Sequence, residues 1–163
     1  MSNTLDDPRR ETRTGTDLRV LNLVPSQHSR FFSQQVATLE RLGVDCTTIS
    51  VPGNREYDDG DTSGRSVGDY ARLYPQALRA SFGDFDLIHA NYGLTAPHAV
   101  CQPNLPVVLS LWGSDLYGRY GPVSKLCARL ADAVVVMSPA MAEELGRVGS
   151  TGSLSPPPEP TAA

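Results

Sequence analysis

The sequence predicts an α/β fold built on a doubly wound, parallel sheet of about five strands. Three observations predict it. Short, near-continuous apolar runs, the mark of strands covered on both faces, recur along the chain. Stretches with helical apolar spacing separate them, so that strand and helix alternate five times over. Four of the five strand ends then open into polar or small residues, the places where such a sheet holds its ligands.

The elements follow in order. Leu18 to Pro25 is an almost unbroken apolar run and reads as the first strand. Phe31 to Leu42 reads as a helix, with Phe32, Val36, Leu39 and Leu42 tracing one stripe, and Gly43 supplies the left-handed residue that ends it. Cys46 to Val51 is rich in β-branched residues and stops at Pro52-Gly53; Asn54 to Gly68 is a polar, glycine-rich surface loop. Val67, Tyr70, Leu73, Tyr74, Ala77 and Leu78 trace a second helix, kinked or restarted at Pro75. Asp86 to Ala90 is a strand, and Thr95 to Gln102 a short helix entered through Thr95 and Pro97. Pro106 to Leu111 is a strand, Pro122 to Leu130 a helix with proline in its first turn, and Ala133 to Met137 the fifth strand. Ser138-Pro139 caps a last helix, Ala140 to Leu145. Residues 1–17 lack any apolar period and read as a flexible leader; 147–163, with Ser155 to Pro160 at their centre, read as a disordered tail. The fold is therefore expected within 18–146.

Composition narrows the partners. The net charge is −4 and Lys125 is the only lysine, which argues against nucleic acid or an anionic membrane as an electrostatic partner. No apolar run is long enough to cross a bilayer, and the polar N-terminus carries no signal region, so a cytoplasmic chain is expected. Cys46, Cys101 and Cys127 are scattered, without metal spacing, and are expected as buried reduced thiols. His28, His89 and His98 form no ligand pair either, and no metal is expected. The first loop, Pro25 to Arg30, has no glycine, and no Walker loop occurs, which argues against NAD, FAD or ATP held by the usual phosphate loops; no cofactor is expected. An anion at the first helix's N-terminus, helped by Arg30, is the residual option.

The strand ends supply the site candidates: Ser26, Gln27 and His28 after the first strand, Asn91, Tyr92 and Gly93 after the third, Trp112, Gly113, Ser114 and Asp115 after the fourth, and Ser138 after the fifth. Trp112 to Asp115 combines a flat apolar ring, a glycine that permits a tight turn, a hydroxyl and a carboxylate. Two readings stay open for it. Either the indole and Asp115 recognise a sugar, or Asp115 caps a following turn and Trp112 is core. His28 could act as a general base. His89 lies inside an apolar run and is expected as a neutral core residue, and His98 sits on a short helix.

Four segments, in the correct order, resemble the N-terminal domain of family 4-type glycosyltransferases. Phe31 to Val44, with its Gln35-Val36 pair and Leu42-Gly43 ending, resembles their first helix. Asp86 to Leu94 resembles the third strand and loop, Pro106 to Leu116 the fourth strand with its glycine-serine-aspartate turn, and Leu130 to Ser138 the fifth strand and its serine. The resemblance implies half of a GT-B architecture, in which two Rossmann-like domains face each other across a cleft. It implies a retaining, metal-independent transfer of a sugar from a nucleotide-sugar, with the acceptor held by the N-terminal domain and the donor by the C-terminal one. Ser26 to His28 and Gly113 to Asp115 would border the cleft, Asn91 and Tyr92 would line the acceptor side, and Ser138 would lie at the interdomain edge. Members that glycosylate lipids work at the membrane periphery, although no basic amphipathic helix is evident here.

Two departures stand out. The first loop lacks the glycines many members have, and Trp112 replaces a histidine. Beyond Gly146 the family continues into a donor domain, whereas 147–163 resemble nothing in it. The expectation is an acceptor-side half, truncated by a reading-frame change or a truncated gene reading near Gly146, without turnover of its own. The alternatives are the acceptor subunit of a split enzyme and a noncatalytic carbohydrate- or partner-binding domain.

Overall fold

The computed structural model describes residues 17–52 and 67–146. The leader and tail expected at 1–16 and 147–163, and the loop at 54–66, lie outside the described residues. Strands β1 (Arg19–Val24), β2 (Asp45–Ser50), β3 (Leu87–Ala90), β4 (Val107–Leu111) and β5 (Ala133–Val136) form one sheet, ordered β2-β1-β3-β4-β5. All four pairings are parallel. The predicted doubly wound, Rossmann-like α/β class is what the chain adopts.

The helices divide between the two faces. Leu21, Leu23, Ile88, Ala90, Val107, Leu109 and Leu111 point to one face, where they form a single core with Ala77, Ala96, Ala99, Leu116, Cys127 and Met141. Those last six come from α3 (Leu73–Ala80), α4 (Ala96–Val100), α5 (Ser114–Tyr117), α6 (Gly121–Leu130) and α7 (Pro139–Gly146). Among the described residues, the opposite face receives α1 (Arg30–Arg41), which buries Phe32. The alternation of strand side chains makes this second face more polar. Thr48, Asn22 and His89 lie in one row across β2, β1 and β3.

Local chemistry explains the boundaries. Gly43 has φ 86°, its N–H bonds to the Glu40 carbonyl, and Val44 N–H reaches back to Leu39, a Schellman ending for α1. Leu42, expected on the buried stripe, is the cap residue of that ending and stays exposed. The second predicted helix is broken one turn before its proline. α2 (Val67–Ala71) ends, and α3 restarts at Leu73, placing Pro75 in a first turn where its missing N–H costs nothing. The turn expected after Trp112 is instead the one-turn helix α5.

Candidate functional site

The strand order reverses beside β1, because the chain leaves β1 first for β2 and later for β3. The loops that follow β1 and β3 therefore part there and leave a crevice at the carboxyl ends of the strands. Three side chains from three elements are tied together over it. Asn91 Nδ2 donates to Gln35 Oε1 at 2.7 Å, and the Trp112 indole Nε1 donates to Asn91 Oδ1 at 3.2 Å. Asn91 is buried, so its amide must be paired on both sides, and this fixes the indole's orientation. Phe31 packs against the indole, ring centres 6.1 Å apart and tilted by 44°. Phe31 is nonetheless 71% exposed and Trp112 37% exposed, so the pair offers an aromatic surface to solvent beside a fixed amide.

Neither Phe31 nor Gln35 was among the residues expected here. Gln35 carried a legible signal: it falls on the same helical face as Phe32, Val36 and Leu39, a polar residue inside an apolar stripe.

Asp115 plays a different part from the sugar acceptor considered above. It is only 3% exposed, and both carboxylate oxygens are occupied. Oδ1 accepts from the backbone N–H of Trp112 (2.9 Å) and of Gly113 (3.0 Å), and Oδ2 from that of Gly93 (2.8 Å). Asp115 thus fastens the β3 loop to the β4 loop from within the first turn of α5, whose cap residue is Gly113. The alternative placing of Trp112 in the core is not met, since the ring stands half in solvent. Two glycines make the clasp possible. Gly113 has φ 105°, a conformation side chains disfavour, with open space around it. At Gly93 the constraint is room, because a Cβ there would lie 2.1 Å from Ser124 Oγ of α6. The Tyr92 hydroxyl and Ser114 Oγ, 3.0 Å apart, make a further link between the same two loops.

The remaining candidates lie elsewhere. Gln27 and His28 line a separate open groove of about 400 Å³ between α1 and β2, with Phe32, Ser33, Glu40 and Thr48. Ser26 Oγ accepts from the His28 N–H at 3.4 Å and shapes that loop. Ser138 Oγ faces the Met141 N–H at 3.4 Å and starts α7. The expected set therefore separates into a crevice cluster (Asn91, Tyr92, Gly93, Trp112, Gly113, Ser114, Asp115) and a groove pair, with Ser138 at a helix start.

Buried polar groups lie on the more polar face of the sheet. His89 is buried and its Nε2 is 2.8 Å from Ser110 Oγ; burial pushes its pKa down to about 4, so it is neutral near pH 7. Next to it in the row, the buried Asn22 amide lies beside the Cys46 thiol of β2, whose pKa burial raises and the amide's proximity lowers in part. Burial lowers the pKa of His98, whose ring lies 6.3 Å from that of Tyr74. Of the cysteines expected to be buried, Cys127 is, and burial raises its thiol to about 11; Cys46 is half-buried, and Cys101 is exposed just beyond α4. Among the described residues, no group of His, Cys, Asp or Glu is placed to hold a metal ion, and no helix is long and apolar enough to cross a membrane.

Fold and loops together define an α/β protein with an aromatic and amide cluster at the carboxyl ends of the strands of a parallel sheet. The chain matches no protein-family profile, and no curated protein matches it.

Proposed function

We infer that this chain is the acceptor-side half of a retaining glycosyltransferase that uses a nucleotide-sugar, and that it does not turn over alone. The observation supporting this reading is the fixed aromatic surface at the switch point. An indole held by Asn91 and Gln35, flanked by Phe31, suits the apolar face of a sugar ring, while the Tyr92 and Ser114 hydroxyls offer hydrogen bonds at its edge. The occupation of Asp115 supports the absence of turnover. The carboxylate of the crevice cluster is spent on three backbone amides and is not free to serve as a base or nucleophile. The same fact favours a second reading, a carbohydrate-binding domain without catalysis.

The chain's single tryptophan makes the test direct. Titration with simple glycosides and with UDP-, GDP- and ADP-sugars is followed by Trp112 emission and by calorimetry, and nucleotide release is assayed in parallel. Glycoside binding that shifts the indole emission, with no nucleotide release, is the expected result. Nucleotide release by the isolated chain would refute the claim of inactivity, and indifference of Trp112 to every sugar would refute the acceptor site. Adding a separately expressed donor domain separates the two readings, since only an acceptor half gains transfer activity.

A further inference from the structure

The outward face of α6 is apolar and uncovered. Ser124 and Cys127 turn into the core, while Val123, Leu126 and Leu130 share the opposite side of the helix. Tyr120 stands at the start of α6 and Tyr117 at the end of α5, and all five side chains are 41–61% exposed. Arg119 lies between the tyrosines in sequence, its guanidinium 5.8 Å from the centre of the Tyr120 ring. Among the described residues no element lies over this strip. Aromatic rings beside an apolar stripe are the surface that proline-rich segments recognise.

The chain carries such a segment, and the fold delivers it to this place. Lys125 of α6 pairs with Glu144 of α7, so Gly146, where α7 ends, lies beside the middle of α6. Leu154-Ser155-Pro156-Pro157-Pro158-Glu159-Pro160 begins eight residues further on. Eight residues reach up to ~26 Å, and Leu130 is only ~8 Å from Lys125 along the helix axis. The lengths agree as well. Leu154 to Glu159 covers ~15 Å as polyproline helix, and Leu130 to Tyr120 spans ~15 Å of α6. Laid antiparallel to α6, the segment sets Leu154 on Leu126 and Leu130, the prolines on Val123 and the tyrosine rings, and Glu159 beside Arg119. Composition denies 147–163 a core of its own, but a polyproline run is extended beforehand and loses little freedom on docking.

We propose that residues 154–160 of the same chain dock as an extended strap on the outward face of α6, with Leu154 against Leu126 and the prolines against Tyr120 and Tyr117. Tyr117 belongs to α5, which also carries Ser114 and Asp115, so the strap braces the crevice loops from outside. This contact is independent of the sugar-transfer reading.

Nuclear magnetic resonance relaxation on the full, labelled chain tests it through the backbone amides of Leu154, Ser155 and Glu159. Order parameters above ~0.6 are expected there, independent of protein concentration, and below ~0.6 in Leu126→Glu. Leu126→Gln is the milder form should that variant fold poorly by circular dichroism. Leu154→Asp, which leaves α6 itself untouched, is expected to loosen the same amides and to shift the resonances of Tyr120, Val123 and Leu126. Order parameters below ~0.6 in the wild type overturn the proposal. So do high values that persist in Leu126→Glu and its milder form, or α6 resonances that Leu154→Asp leaves in place. Ordering that appears only as concentration rises overturns it too, since the segment would then be seated on a second copy.

Discussion

Replacing Asp115 separates a structural clasp from a ligand-binding carboxylate. In Asp115→Ala the backbone N–H groups of Trp112, Gly113 and Gly93 lose their acceptor at once. A buried amide left unpaired costs ~1–3 kcal/mol, but Trp112 and Gly113 can recover water. The Gly93 bond is fully buried and carries the larger share. The sum comes to ~3–5 kcal/mol, a large part of the stability of a domain this size. Asp115→Asn is the finer probe. Its amide oxygen can keep the two bonds now made by Oδ1, but its NH₂ would face the Gly93 N–H, donor against donor, for a loss of ~2 kcal/mol. Urea unfolding followed by Trp112 emission and by far-ultraviolet circular dichroism measures both variants, the midpoint falling further for alanine than for asparagine at unchanged slope. A loss below ~0.5 kcal/mol in both, the range of ordinary surface substitutions, would refute the clasp and return Asp115 to the list of free acceptors.

Three further outcomes follow from the same loops and the buried row. Gly93→Ala sets a Cβ 2.1 Å from Ser124 Oγ and is expected to cost ~1–3 kcal/mol, most of it recovered in the double variant with Ser124→Ala; an additive double variant would contradict this. Gly113→Ala meets no neighbour but is held at φ 105°, so it should lose ~1–2 kcal/mol that no second-site change in packing restores. His89 has its pKa lowered to about 4 by burial, so the unfolded chain binds the proton more tightly. Its contribution, on the order of 3 kcal/mol, is fully present above the unfolded value near 6.5 and is lost as pH falls from there toward 4. Urea midpoints at pH 7 and pH 4.5 should differ less in His89→Gln than in the wild type, and an equal difference would exclude His89 as the source.

The fold was legible because its signals are local. Continuous apolar runs at Leu18–Val24 and Val107–Leu111, Gly43 after a helical stripe and Pro122 in a first turn each announce an element without reference to the rest of the chain. Regularity of alternation then led to the parallel sheet. Much of the crevice cluster was legible too, since its loops follow strand ends and strand ends are visible. Roles were not. Whether Asp115 faces solvent or three amides depends on the separation of the β3 and β4 loops, which the one-turn helix α5 and Ser124 of α6 determine, and a turn of four residues leaves no periodic trace. Leu42 misled for a related reason, since at a helix end the stripe continues in sequence while the backbone has already turned away. Phe31 was overlooked because its neighbour Phe32 takes the buried position and accounts for the aromatic pair.

The tie between Gln35, Asn91 and Trp112 has a kinetic consequence. Its two bonds join residues 56 and 21 positions apart, and the Thr95 hydroxyl reaches back 72 residues to the Leu23 carbonyl. None of these three bonds can form from neighbours in sequence. β1 must wait, with one edge on β2, until a long loop closes and delivers β3 to the other, and such closures are slow relative to helix formation. Native indole emission should therefore arrive with the slowest refolding phase, after most of the helical signal has returned. The lone tryptophan that would report a bound sugar is thus also the clock that marks completion of the sheet.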